Sequence, residues 1–185
     1  MKLFLLLALL TGSAWAGPVM LKVEVLGNKD TKMQGKQSKG KSAGIPERVT
    51  TDTRDLEITL NNTGAAELNL TVVTYLFAKD AKEKDIVLSK KMEKTLALPA
   101  HAIQKFTTDK AVITFHSLSS KTKGGKNEVK PATGAKFAGF GVQVMAGNEL
   151  MVELFEPKEL KASTGLTETS TLYDEDKWKK KKKAN

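Results

Sequence analysis

Side chains able to do chemistry are scarce in this chain, beginning with two histidines, His101 and His116, and no cysteine. A structural zinc site needs four ligands at short spacings, as in H-E-x-x-H or a two-cysteine, two-histidine frame. The two histidines match neither pattern, so no metal and no cofactor is expected. His116 precedes Ser117, Ser119 and Ser120, the residue types of a serine nucleophile and its base. Such a nucleophile also needs an orienting acid and an oxyanion hole, and no G-x-S-x-G elbow is written here. The stretch reads as a strand end beside a serine-rich turn. Gly139-Phe140-Gly141 lacks the third glycine and following helix of a dinucleotide loop. Glycines within a strand instead mark a bulge or a close backbone approach. Asp174-Glu175-Asp176 lacks the ligand spacing of a calcium loop and reads as a solvated acidic patch. The chain is therefore read as a non-enzyme. A hydrolase whose acids meet only on folding is the distant alternative.

One segment carries a chemical signal: Lys177 and Trp178, followed by Lys179, Lys180, Lys181, Lys182 and Lys183. Clustered ammonium groups hold a polyanion by charge and counterion release, while an indole stacks on a sugar or base or sits at a membrane interface. A run of like charges repels itself and stays extended. A disordered, polyanion-binding tail is expected, against the plainer readings of a solvated extension or one paired with the acidic triplet. The whole chain leans the same way, with 30 basic against 21 acidic residues and a formal net charge of +9. That excess favours anionic surfaces such as acidic glycan, lipopolysaccharide or lipid. No dedicated nucleic-acid motif accompanies it.

The N-terminus has Lys2, a short apolar run over residues 3–10, and small residues at the minus-three and minus-one positions, Ala14 and Ala16. This is the pattern of a secretory signal peptide. The run is shorter than the ~20 residues that span a bilayer, and no other transmembrane segment is expected. Residues 1–16 are thus expected to be removed, leaving a soluble protein in the periplasm or outside the cell. The remainder is long enough for one domain, taken as residues 17–160, with a flexible tail over 161–185.

The elements that must position any site alternate with period two. Val19, Leu21, Val23 and Val25 form one such set; Leu56, Ile58 and Leu60 another; Leu68, Leu70 and Val72 a third. Ala111, Ile113 and Phe115, then Phe140, Val142 and Val144, then Leu150, Val152 and Leu154 continue the pattern. Successive strand residues point to opposite faces, so each segment has one face to bury. Ile58, Val72, Val142 and Val152 should point inward, and Gln143 outward. Asn61-Asn62-Thr63-Gly64 and Ala146-Gly147-Asn148-Glu149 read as hairpin turns. Residues 28–44, rich in Lys, Gln, Ser and Gly, read as a mobile loop, and residues 90–98 as a strand or one short helix. The expected fold is all-β, an antiparallel sandwich of about seven strands.

The segment from Leu56 through Asn61-Asn62-Thr63-Gly64 into the strand after Glu67 resembles the strand–turn–strand hairpin of bacterial immunoglobulin-like or fibronectin-III-like envelope domains. Leu98-Pro99-Ala100-His101-Ala102 resembles the short turn before a later strand of such domains. The cysteines and buried tryptophan of antibody-type members are missing. The resemblance implies an immunoglobulin-like sandwich serving as a binding or accessory protein of the cell envelope, with an envelope protein or an anionic surface as partner. A pilus-associated or adhesin-type subunit is the alternative. Intact-mass analysis of exported protein should find Gly17 at the N-terminus; retained residues 1–16 would contradict the export signal.

Overall fold

The computed structural model describes residues 11–34, 45–123 and 126–168. Among them run eleven strands: β1 (Thr11–Ala16), β2 (Val19–Gln34), β3 (Glu47–Asn62), β4 (Leu68–Asp80), β5 (Ile86–Leu98), β6 (Ile103–Thr107), β7 (Ala111–His116), β8 (Ser119–Lys123), β9 (Lys126–Lys130), β10 (Thr133–Ala146) and β11 (Glu149–Glu156). A 3-10 helix, Lys158–Ser163, follows. Every strand pairing is antiparallel. Nine strands join in one sheet of order β1-β2-β3-β7-β10-β4-β5, with β11 beside β10 and β6 beside β3; β8 and β9 form a separate ribbon.

The period-two pattern explains the core. Val19, Leu21, Val23 and Val25 are buried while Met20 and Lys22 face solvent. They share one cluster with Leu56, Ile58 and Leu60 of β3, Leu70, Val72 and Leu76 of β4, Phe140, Val142 and Val144 of β10, and Val152 of β11. All four residues expected to point inward do so. Residues of β2–β3 and of β4–β10–β11 meet in this cluster although β7 meets β10 only through Thr133 and Gly134.

A second cluster, Tyr75, Phe77, Leu88, Phe155 and Leu160, is closed by the 3-10 helix, which contributes Leu160. Its fit depends on two strand glycines. A Cβ on Gly141 would stand 2.2 Å from the Phe155 ring, and one on Gly139 would lie 2.1 Å from the Glu156 carbonyl and 2.6 Å from Leu160. Gly139 also carries a φ of 148°, beside an irregularity in the pairing with β4.

Of the two readings open over residues 90–98, the strand is the one found: they lie in register with β4, and Leu96 and Leu98 turn to the core while Thr95 and Ala97 do not. Three local expectations differ from the structure. Residues 28–34, expected in a loop, continue β2 opposite residues 47–53; backbone pairing orders them without burial, and residues 35–44 lie outside the described part. The domain boundary expected at 160 falls inside the 3-10 helix, and Glu168 still bridges to Leu88.

The third difference concerns Asn61-Asn62-Thr63-Gly64, which is not a hairpin turn. β3 pairs with β2, β6 and β7, whereas β4 pairs with β5 and β10, so this link carries the chain from one group of strands to the other. Asn62 is fully buried. Its Nδ2 donates to the carbonyls of Ala66 at 2.8 Å, Pro99 at 3.0 Å and Leu98 at 3.2 Å, and its Oδ1 accepts the Gly64 N–H at 2.9 Å. Its backbone N–H donates to Ala102 O at 2.9 Å. One amide thus ties the β3–β4 link to the β5–β6 link.

A buried polar group stripped of its partners costs ~1–3 kcal/mol. Asn62→Leu leaves carbonyls of both links without their donor and should lower unfolding free energy by about 2–4 kcal/mol in a denaturant titration. Val142→Asp should cost at least as much, whereas Val112→Asp, at a position 63% exposed, should be nearly neutral. Equal tolerance at 142 and 112 would contradict the inward facing of Val142 on β10 and the outward facing of Val112 on β7.

Candidate anion-binding end

Past the core, β2 and β3 continue as a paired arm from Asn28 opposite Thr53 to Gln34 opposite Glu47. The β8–β9 ribbon is stitched to its base: Ser120 N–H donates to Ile45 O at 3.0 Å, and Ser117 N–H to Arg48 O at 2.8 Å. The β4–β5 turn joins the same end, since Ala81 N–H donates to Gly134 O at 2.9 Å and Gly134 pairs with Phe115. These connections gather Lys29, Lys32, Arg48, Lys79, Lys82, Lys84, Lys130 and Lys136, all exposed, at one end of the molecule.

Within it lies an open cleft of about 780 Å³, lined by Lys79, Lys84 and Lys136, by Asp80, and by the rings of Phe115 and Phe137. Asp80 does not neutralise the lysines by contact. Its Oδ1 accepts the N–H groups of Lys82 at 2.7 Å and Glu83 at 2.8 Å, closing the turn that holds Lys84 at a φ of 64°. Lys136 Nζ stands 4.1 Å above the Phe115 ring, and the Arg54 guanidinium 5.1 Å above Phe137. Among the described residues, no carboxylate forms an ion pair with Lys79, Lys84 or Lys136. Like charges around one cleft repel, and an anion between them relieves that repulsion. The ring walls accommodate apolar or planar parts of the same ligand.

The other chemistry-bearing groups are engaged structurally. His116 Nδ1 lies 2.7 Å from Glu47 Oε1. The neighbouring hydroxyls serve the backbone: Ser117 Oγ accepts the Arg48 N–H at 2.9 Å, and Ser120 Oγ accepts the Ile45 N–H at 3.1 Å. Ser119 is buried. A cavity of about 220 Å³ between β4, β5 and the β6–β7 link has Lys94 Nζ 4.2 Å over Phe106. Among the described residues, no three His, Asp or Glu side chains gather as a metal site. No helix among them is long and apolar enough to cross a membrane.

On the outer side of β4 and β10, Tyr75 donates to Gln143 Oε1 at 3.1 Å, Gln143 Nε2 donates to Glu153 Oε2 at 3.2 Å, and Lys161 Nζ donates to Glu153 Oε1. Burial, with the nearby Glu93 charge, pushes the Tyr75 hydroxyl up from its ordinary value. The hydrogen bond from Lys161, helped by Gln143, holds the Glu153 carboxyl below its own. Along β2, β3 and β6, Lys22 pairs with Glu24 and Lys105 with Glu57, each at 2.6 Å. Lys22 holds the Glu24 carboxyl down, and Glu57 raises the Lys105 ammonium.

The tail residues singled out by sequence, Lys177, Trp178, Lys179, Lys180, Lys181, Lys182 and Lys183, lie outside the described residues, as does the acidic triplet. The cleft lysines carry no sequence signature. Lys79 and Lys84 flank a charged connection, and Lys136 reaches them only because Ala135 pairs with Asp80 and Lys136 with Lys79.

No family model and no curated protein matches the chain. Among solved structures, it is similar to a protein from Akkermansia muciniphila at 11% identity, covering 86% of this chain and 85% of that one, with a TM-score of 0.29. An X-ray structure of a Northeast Structural Genomics Consortium target is 12% identical, covering 66% of this chain and 86% of that one, with a TM-score of 0.21.

The Glu153–Lys161 contact gives a pH test. A carboxyl lowered on folding stabilises above its unfolded value, ~4.3, and that stabilisation disappears as pH falls through the folded value. Lys161→Met should therefore be less stable than the parent at pH 7, by about 0.5 kcal/mol or less for so exposed a pair. Thermal melts of the two should converge in acid, once Glu153 is protonated. A gap that persists there would assign the loss to packing of the lysine stem.

Proposed function

We propose that this chain is an exported, non-enzymatic binding protein of the cell envelope. On this reading it is an immunoglobulin-like β-sandwich that docks its lysine-rich end on a polyanionic surface. The sandwich reading is supported by the single core shared between β2–β3 and β4–β10–β11. The observation that carries the function is the cleft at Lys79, Lys84 and Lys136, with three ammonium groups and Asp80 committed to its turn. The β2–β3 arm sets Lys29, Lys32 and Arg48 beside Asp30, Glu47 and Asp52, so the positive charge is concentrated at the cleft and not along the arm. The tail from Lys177 to Lys183 is the second contact in this reading, and Trp178 supplies a stacking or interfacial group.

Binding of this kind weakens steeply with salt, because it rests on released counterions. The full chain should bind heparin or anionic vesicles at low ionic strength, with affinity falling as salt rises. Lys79→Glu/Lys84→Glu/Lys136→Glu should weaken binding by at least tenfold and flatten the salt slope by about one per lysine lost. Asp80→Asn keeps an acceptor for the turn and removes a negative charge, so it should tighten binding. Truncation after Thr171 should remove the tail's share without moving the melting temperature. Unchanged affinity in both the charge-reversed and the truncated proteins would overturn the proposal.

A further inference from the structure

The strand β1 lies wholly within the segment that the sequence marks for removal, so cleavage would change the edge of the sheet. In the uncleaved chain β1 runs antiparallel to β2 through Gly17 and Pro18, with Ala16 opposite Val19, Ser13 opposite Lys22 and Thr11 opposite Glu24. Thr63 N–H donates to Pro18 O at 2.7 Å, which directs the Pro18 backbone towards β3. Strand residues alternate. The backbone groups of Val19, Leu21 and Val23 therefore face β1, while their side chains are no more than 1% exposed in the core. Loss of residues 1–16 would leave those N–H and C=O groups unpaired, on a strand whose side chains keep it straight and in place. An unpaired, rigid edge is a template for another strand.

The space left would have two walls. β1 also runs beside β11, and Cα atoms of β11 come within 8 Å of β2 itself. No pairing joins β1 to β11 among the described residues. With β11 on the far side of β1, the sheet edge of a second copy, which would bring its own β3 with it, would meet β11, whereas a single extended segment takes only the place of β1. The last described residue, Glu168, sits at the opposite sheet edge from β11. Glu168 bridges to Leu88 on β5, and β11 and β5 stand at opposite edges of the order β11-β10-β4-β5.

We propose that removal of residues 1–16 turns β2 into a strand-accepting edge, and that the slot between β2 and β11 takes an extended, uncharged segment of about six residues from another polypeptide, antiparallel to β2. The segment β1 itself, Thr-Gly-Ser-Ala-Trp-Ala, defines the chemistry: residues without charge, all small except Trp15. The inference rests on the export reading and names the partner it implies.

The chain contains no cysteine, so introduced thiols report without background. The exported protein carrying Lys22→Cys, at an exposed position, is mixed in a glutathione redox buffer with a synthetic peptide of residues 11–16 carrying Ser13→Cys. A matched protein carries Val112→Cys, on β7 and 63% exposed. Strand docking places the peptide thiol opposite residue 22, so the mixed disulfide there should form at least about tenfold faster than at 112. The N-terminus of each preparation is read by intact mass. Gly17 at the terminus with equal rates at the two sites overturns the slot and leaves the export reading standing. Retention of residues 1–16 overturns both, because the edge is then never uncovered.

Discussion

The fold turns on a side-chain amide that cannot reach water. Asn62 sits where the chain leaves one group of strands for the other, and its side-chain amide makes four hydrogen-bond contacts inside the protein. A hydrophobic residue of similar size would fill the same volume but would leave the carbonyls of Ala66, Leu98 and Pro99 without that donor. Two links distant in sequence are therefore held by one residue, and the ends of β3, β4, β5 and β6 inherit their spacing from it. Apolar burial supplies more energy, but it is tolerant of small displacements in a way that a closed set of hydrogen bonds is not.

From that crossing the two faces of β4 and β10 acquire different neighbours. Leu76 and Val142 meet the main core, whereas Tyr75 and Gly141 look towards Phe155 and the region closed by Leu160. A sheet covered on both sides suppresses slippage, because a one-residue shift would exchange two sets of unlike side chains. The rigidity reaches the cleft directly: β4 ends at Asp80, β10 begins at Thr133, and their register sets the distance between Lys79 and Lys136. The cleft is placed by backbone pairing, even though its charged groups are exposed.

The strand faces were legible from alternation alone, because inward positions such as Ile58, Val72 and Val142 follow from period two without knowledge of the partner strand. The link at Asn61-Asn62-Thr63-Gly64 was not. Its composition suits a hairpin, and nothing local reveals that the next strand pairs elsewhere. The arm over residues 28–34 was missed for a related reason: composition registers burial, whereas the arm is held by main-chain pairing that any non-proline sequence can make. Glu168 belongs to the fold through its bridge to Leu88 on a distant strand, so a polar stretch read as tail conceals an anchor. The lysines of the cleft are unremarkable individually and become a site only through register. The tail lysines, by contrast, announce themselves by repetition.

The length of β2 has a geometric consequence of its own. At sixteen residues it extends for about 50 Å, a single ruler with the β1-paired edge near one end and the lysine-bearing arm at the other. Because a strand repeats every two residues, the reach of that ruler changes in discrete steps. Two residues added to both β2 and β3 would lengthen the arm by about 7 Å and keep every existing side chain on its face, whereas one would invert everything beyond it. Variation in how far such a protein holds its charged end from its sheet edge is therefore restricted to even insertions. The parity of the backbone sets the permitted lengths, whatever the added residues are.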